Sequence, residues 1–296
     1  MKTDKMVKKL VIPAAGMGTR FLPATKSLAK EMLPIINVPA IHYIVTEALQ
    51  SGIEEIIIVV SSQKNSIIDY FDCSFELETR LKDKNKDELL KMVQEISNMT
   101  NVVFIRQKKP NGLGDAINCT RKIIDDQPFA VILGDDLVFT NENQKPAIKQ
   151  CIEAYNKYHS TILGVQEVPK DKTNLYGIIK PKNKIINSKS FMIEDMVEKP
   201  DIDKAPSQFA ALGRYVLTPD IFDALDKCKP DKSGEIQLTD ALRKIAKKSK
   251  VYACNFEGKR YDIGSTTGYL QATLDKALED KKLKIVLKDF IKKHKI

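Results

Sequence analysis

Two textures of apolar residues alternate along the first 170 positions. One is the short unbroken run, at 8–15 (KKLVIPAA), 56–60 (IIIVV), 102–106, 129–133 and 161–168. Each is strand-sized and carries β-branched residues, as in a strand covered on both faces. The other is the helical stripe. Ile41, Ile44, Val45, Ala48 and Leu49 recur at i, i+3, i+4, i+7 and i+8, with Asn37 and Pro39 before them and Gly52 after. Leu89, Met92, Val93 and Ile96 repeat this spacing, as do Ile148, Cys151, Ile152 and Tyr155, and 116–124 reads as a further helix. Strands and helices in alternation predict α/β architecture around a mostly parallel sheet.

After about residue 170 the pieces shorten. Strand-like segments at 176–180, 191–198 and 209–217 are separated by turn residues. Helices return at 236–246 and 266–278, with a strand at 251–256 between them. The last stripe, Leu283, Val286, Leu287, Phe290 and Ile291, is flanked by lysines. Such an amphipathic tail suits the protein body, a partner subunit or a membrane, and packing on protein is the expectation. No internal repeat, low-complexity tract or linker divides the chain, so 1–296 reads as a single domain.

Composition narrows the function class. The 296 residues are 43% hydrophobic and 29% charged, which excludes a disordered, collagen-like or coiled-coil chain. No apolar run reaches the roughly 18 residues of a bilayer span. The basic opening lacks the pattern of a signal peptide, which predicts a cytoplasmic protein. The five cysteines form no CxxC and are read as reduced. The net charge of +9 suits anionic partners. Its lysines are spread among acids, aromatics make up 7%, and Trp is absent. A nucleic-acid stacking face is therefore not expected, and the lysines read as a solvated surface.

Four segments carry candidate chemistry. The first, PAAGMGTRFLP at 13–23, follows a strand and places Gly16, Gly18, Thr19 and Arg20 in one loop. Glycine lets backbone N–H groups approach a phosphate, and Arg20 can grip two of its oxygens in a fork. Lys26 adds a point charge, and Lys30 and Glu31 follow. The loop is neither GxGxxG nor GxxxxGK[ST]. The second, Gly134-Asp135-Asp136, ends an apolar strand, and Asp262 follows the strand 251–256 in the same manner. Open α/β sheets bind ligands at such strand ends, and carboxylates there can hold Mg²⁺ against phosphate oxygens. In the third, QKKPNGLGDA at 107–116, Gln107 can donate and accept along a base edge while Gly112 and Gly114 permit close backbone approach. The fourth, VEKP at 197–200, offers Glu198 to sugar hydroxyls and Lys199 to a phosphate. Taken singly, each also fits an ordinary turn, cap or solvated charge pair. The three histidines form no Ser-His-Asp set and no HExxH.

In this order, PAAGMGTRFLPATK, KEMLP, RQ-x4-GLG, GDD, VEKP and RYDIG resemble the bacterial UTP–glucose-1-phosphate uridylyltransferases, also called UDP-glucose pyrophosphorylases. The resemblance spans 8 to about 278. It implies a Rossmann-like three-layer sandwich with a mixed, mostly parallel sheet, and a Mg²⁺-dependent enzyme, a homo-oligomer (dimer or tetramer), making UDP-glucose and pyrophosphate from UTP and glucose 1-phosphate. It divides the domain into a nucleotide-binding half (about 8–170), a sugar-phosphate-binding half (about 171–264) and C-terminal helices (about 265–296), a possible oligomer contact. By the same resemblance, Ala14, Ala15 and Gly16 meet the nucleoside, Gln107 and Gly112 read uracil, and Glu31 supports that site. Gly18, Thr19 and Arg20 hold the triphosphate, and Lys26 neutralises the α-phosphate and leaving pyrophosphate. Asp135 and Asp262 hold Mg²⁺. Asp136, Gly177, Gly213, Glu198 and Lys199 serve the sugar phosphate. Three positions depart from the pattern: Ala29 for Pro, Asp115 for His, and Gly134 for Pro or Ala. Asp115 adds negative charge beside the nucleotide site. A relative using dTTP or another sugar 1-phosphate, and a non-catalytic nucleotide sensor, remain open alternatives.

Overall fold

Every unbroken apolar run becomes a strand. The computed structural model describes residues 5–62, 64–183 and 188–294; the first four residues of the basic opening and Lys295 of the basic tail lie outside them. The strands in chain order are β1 (Lys9–Pro13), β2 (Pro34–Ile35), β3 (Val38–Pro39), β4 (Glu55–Val60), β5 (Val102–Arg106), β6 (Phe129–Ile132), β7 (Asp136–Phe139), β8 (Ile162–Glu167), β9 (Gly177–Pro181), β10 (Ser190–Glu198), β11 (Phe209–Leu217), β12 (Tyr252–Asn255) and β13 (Lys259–Asp262). Nine form one sheet in the order β5-β4-β1-β6-β11-β8-β12-β10-β9, while β2 pairs with β3 and β7 with β13. β5, β4, β1 and β6 are mutually parallel, as are β8 and β12. β11 is antiparallel to β6 and β8, and β10 to β12 and β9. Only β10 and β11 therefore run against the other strands of the sheet.

Along β1, β4 and β6 the buried side chains alternate between two cores, which makes the molecule three-layered. Leu10, Ile12, Ile56, Ile58 and Ile132 face one core with the helices Ala40–Gln50 and Ala147–Tyr158. Val11, Ile57, Val59 and Val131 face the other, against the helices Asp220–Asp226 and Leu238–Ala246. Successive side chains of a strand point to opposite faces, so an all-apolar run needs a layer on each side. Each isoleucine buried this way contributes about 1.5–3 kcal/mol.

Elsewhere the local chemistry differs from the periodic reading. The helix expected at 116–124 is two, Leu113–Asn118 and Arg121–Ile124. Between them the buried Thr120 hydroxyl donates to the Ile117 carbonyl at 2.7 Å, a local bond that competes with helix continuation. The helices Asn65–Phe71 and Phe75–Asp83 and the β7–β13 pair carry no periodic signal. The tail forms two helices, Thr266–Glu279, whose N-terminus is capped by the Ser265 hydroxyl, and Lys281–His294. No described helix is long and apolar enough to cross a membrane.

Candidate active site

The loop after β1 lies at the carboxyl end of the parallel strands, the binding edge of such sheets. Its start is pinned by the buried Ala14, whose N–H donates to the Val59 carbonyl at 2.8 Å, and Ala15 is also buried. Gly16 then comes to the surface. Gly18 has φ 67° and ψ 32°, a left-handed conformation that glycine adopts without strain. The Thr25 hydroxyl closes the loop by donating to the Gly18 carbonyl at 2.7 Å. Thr19 and Arg20 are left exposed above a small pocket lined by Gly18, Thr19, Arg20, Phe21, Lys30, Asp135 and Gly264.

Two carboxylates converge at that pocket. A Cβ added to Gly264 would stand 2.7 Å from Asp135 Oδ2 and 3.0 Å from Asp262 Oδ1. Two cations face them. Lys30 Nζ is 2.5 Å from Asp135 Oδ2, and Arg20 Nη1 is 3.8 Å from Asp262 Oδ2. Burial works to raise the pKa of Asp135, but Lys30 and Arg20 outweigh it and hold the carboxyl below its ordinary value. Burial also raises that of Asp262, and the neighbouring charges of Asp135 and Asp136 add to it against the pull of Arg260 and Arg20. Among the described residues no three His, Cys, Asp or Glu side chains cluster as a complete metal cage. The pair fits a hard divalent cation that completes its shell with phosphate oxygens and water, and such an ion would relieve the crowding at Asp262.

Asp136 corrects one expectation. It was placed with the sugar-phosphate residues, yet it is 4% exposed and both its oxygens are engaged. Arg260 holds them bidentately, with Nη2 2.7 Å from Oδ2 and Nε 2.9 Å from Oδ1, and Arg214 Nη1 lies 3.5 Å from Oδ1. Asp135 sits in the turn between β6 and β7 and lines the pocket, whereas Asp136, the first residue of β7, is buried. Arg214 also donates to Glu47 Oε2 at 2.6 Å, and Glu47 Oε1 accepts the Ile148 N–H at 2.9 Å. Gly213, at φ 64°, is buried directly against Asp136; a Cβ there would lie 3.0 Å from that of Asp136.

The remaining predicted residues form three groups. Gln107 is 5% exposed, and its Nε2 donates to Gly112 O at 3.2 Å and Asp115 Oδ2 at 2.7 Å. Gly112, at φ 95°, leaves no room for a Cβ, which would fall 2.8 Å from that of Glu235. Glu31 lies beneath the loop with 0% exposure; Lys64 Nζ holds its Oε2 at 2.8 Å, and its Oε1 has no hydrogen-bond partner among the described residues. Burial raises the Glu31 pKa against the opposing charges of Lys30 and Lys64. Gly134 lets this side chain pass, since a Cβ there would stand 2.9 Å from Glu31 Cγ. On the far half of the sheet, Gly177 pairs with Glu198. Glu198 Oε2 accepts from the Thr239 hydroxyl at 2.6 Å, and Lys199 Nζ lies 3.9 Å from Oε1, exposed, on a residue with φ 42°.

Lys26 stands apart from these groups, exposed and in no ion pair among the described residues. The lysine at the carboxylates is Lys30. The sequence alone assigns Lys30 no role, because the short 3₁₀ turns at 24–26 and 30–32, which aim the two lysines, have no periodic signature. Lys64, Thr239 and Arg260 were likewise unassigned.

Comparison with known proteins identifies the family. A family model described as nucleotidyl transferase matches residues 9–279. A UTP--glucose-1-phosphate uridylyltransferase of Bacillus subtilis (strain 168) is 48% identical over 287 residues, covering 97% of each chain. One from Streptococcus pyogenes is 48% identical over 286 residues, covering 96% of this chain and 93% of its own. Among solved structures, a UDP-glucose pyrophosphorylase complexed with UDP-glucose superposes with a TM-score of 0.84 at 43% identity, covering 93% of this chain and 100% of that one. A UTP-bound UGPase from Acinetobacter baumannii gives 0.88 at 39%, covering 97% and 99%. The match of the family model to residues 9–279, with 48% identity to relatives over nearly the whole chain, places this protein in the nucleotidyl transferase family, among the UTP–glucose-1-phosphate uridylyltransferases.

Proposed function

We propose that the chain transfers the uridylyl group of UTP to glucose 1-phosphate, releasing pyrophosphate. The observation that carries this reading is the meeting of Asp135, Asp262, Lys30 and Arg20 around Gly264. A phosphate oxygen of glucose 1-phosphate attacks the α-phosphorus of UTP. The new P–O bond forms as the bond to the β-phosphate oxygen breaks, in line. The nucleophile is already ionised at neutral pH, so no side chain needs to remove a proton. Catalysis is then positioning and charge stabilisation. Arg20 and the backbone N–H groups of the Gly16–Arg20 loop orient the triphosphate. Lys30 leaves Asp135 for the transferring phosphoryl group, while the exposed Lys26 receives the departing pyrophosphate. Mg²⁺ held by Asp135 and Asp262 would supply a Lewis acid for the phosphate oxygens. Gly177 and Glu198 face the glucose hydroxyls, and Lys199 pairs with the sugar phosphate. The same reading carries a homo-oligomer, which light scattering of the purified chain checks.

Pyrophosphate release with Mg²⁺, glucose 1-phosphate and either UTP or dTTP tests the assignment. UTP is expected to be the better substrate. Lys30→Ala and Asp135→Asn are each expected to lower kcat by about 10²-fold or more, the scale of losing one preorganised electrostatic contact. A folded protein that releases no pyrophosphate with UTP would refute the reading, and equal loss in Lys26→Ala with none in Lys30→Ala would return the catalytic role to Lys26.

A further inference from the structure

Asp115 contacts neither the triphosphate loop nor the two carboxylates, yet it settles which way Gln107 can read a base. The Gln107 side chain lies in the turn between β5 and the helix Leu113–Asn118, almost wholly buried. Its backbone is tied to the sheet by Gln107 N–H donating to the Val60 carbonyl at 2.9 Å. One end of its amide meets two groups, the Gly112 carbonyl at 3.2 Å and the Asp115 carboxylate at 2.7 Å. Both are acceptors only, so that end must be the NH₂. The carbonyl oxygen is thereby turned the other way, and it accepts no hydrogen bond from any described residue. The surrounding turn is rigid: Gly114 N–H donates to Ile236 O at 2.8 Å and Ile236 N–H to Asn111 O at 2.7 Å. A carbonyl acceptor left free there suits the N3–H of uracil, whereas cytosine presents a lone pair at N3.

We propose that Asp115 is a specificity-determining positioning residue: by taking the Gln107 amide N–H it locks the amide carbonyl toward the nucleobase and selects a base with a ring N–H over cytosine. This rests on the transferase reading proposed above, with Gln107 as the residue that meets the base. Without the Asp115 acceptor, only the longer 3.2 Å bond to the Gly112 carbonyl holds the NH₂ in place, and the flipped amide, which offers its NH₂ to cytosine N3, becomes more accessible.

The test is binding of UMP and CMP by calorimetry, which needs no turnover, together with kcat and KM for UTP and CTP. Asp115→Leu removes the acceptor at similar volume; Asp115→Asn keeps a carbonyl that can still accept. The parent chain is expected to prefer UMP. Asp115→Leu is expected to narrow the UMP/CMP affinity ratio about 10-fold and to raise KM for UTP more than it lowers kcat, the effect of one lost orienting hydrogen bond to a charged group. Asp115→Asn is expected to restore most of the ratio, which a merely structural role would not predict. Should Asp115→Leu fail to fold, Asp115→Ala takes its place. A folded Leu or Ala variant with the parental ratio overturns the proposal, as does a parent chain that binds CMP as tightly as UMP. A parent that separates UMP from CMP yet releases no pyrophosphate from UTP leaves this inference standing and refutes the transferase reading.

Discussion

Gly264 is the narrowest point of the site at the scale of single residues. Its missing side chain is what lets Asp135 and Asp262 approach from two strands, since a Cβ would sit 2.7 and 3.0 Å from their oxygens. Those atoms are charged, partly buried and held by Lys30 and Arg20, so they cannot simply swing away. Gly264→Ala is therefore expected to lower kcat/KM by about 10²-fold, the penalty for displacing reacting groups by about 1 Å, with the far-UV circular dichroism unchanged. A near-parental rate would show that the carboxylates work at a wider spacing. Such relations were half legible in the sequence. The residue types announced phosphate and cation chemistry at Arg20, Asp135 and Asp262. Which of two adjacent aspartates faces the pocket, and which of two lysines four positions apart reaches it, depends on the turn between β6 and β7 and on two 3₁₀ turns. Gln107 was expected to read a base, but its contact with Asp115 spans a turn whose shape only the fold sets.

Among the elements, the long apolar runs were the easiest to read, because a strand buried on both faces leaves no other use for five consecutive hydrophobic residues. The β7–β13 ladder was not legible. Its strands are four residues each and lie more than 100 positions apart, pairing Asp136 with Asp262 and Leu137 with Tyr261, with no local pattern to mark them. The helix Asn65–Phe71 was equally hidden, and its packing carries a pH signature. Tyr70 in it meets His42 of the helix Ala40–Gln50, hydroxyl to Nδ1 at 3.0 Å. Burial lowers the His42 pKa below its ordinary value and raises that of Tyr70 to about 12, so the tyrosine donates and the neutral imidazole accepts. The folded protein thus binds this proton less readily than the unfolded chain. Stability from the pair is complete above the unfolded histidine pKa of roughly 6.5 and is lost as pH falls through the lower folded value. Urea midpoints between pH 8 and pH 5 are expected to fall more steeply for the parent than for His42→Phe. Parallel pH profiles would show that the contact does not titrate.

Across the whole molecule, one buried network ties the two halves of the sheet to the site. Arg214, on β11 where the strand direction reverses, has 0% exposure and reaches Glu47 on a helix of the first half and Asp136 beside the pocket. Arg260, on β13 and two residues before Asp262, clamps the same Asp136 and rests over the ring of Tyr176, which adjoins Gly177. Two carboxylates and two guanidiniums balance, so no net charge is buried. Each member holds a residue next to one with a proposed role: Asp136 beside Asp135, Arg260 close to Asp262, Tyr176 beside Gly177. Removing one member leaves charge stranded in the interior, which costs about 3–5 kcal/mol. Arg214→Met is expected to destabilise the fold by that amount in denaturant melts, because Glu47 loses its only ion-pair partner among the described residues. Pairing it with Glu47→Gln removes the stranded charge as well. The double variant should recover 1 kcal/mol or more relative to the sum of the single ones, a positive coupling that adjacent residues of one network show. Strict additivity in that cycle would mean the network carries no cooperative load, and the carboxylate geometry at Gly264 would then rest on the β7–β13 ladder alone.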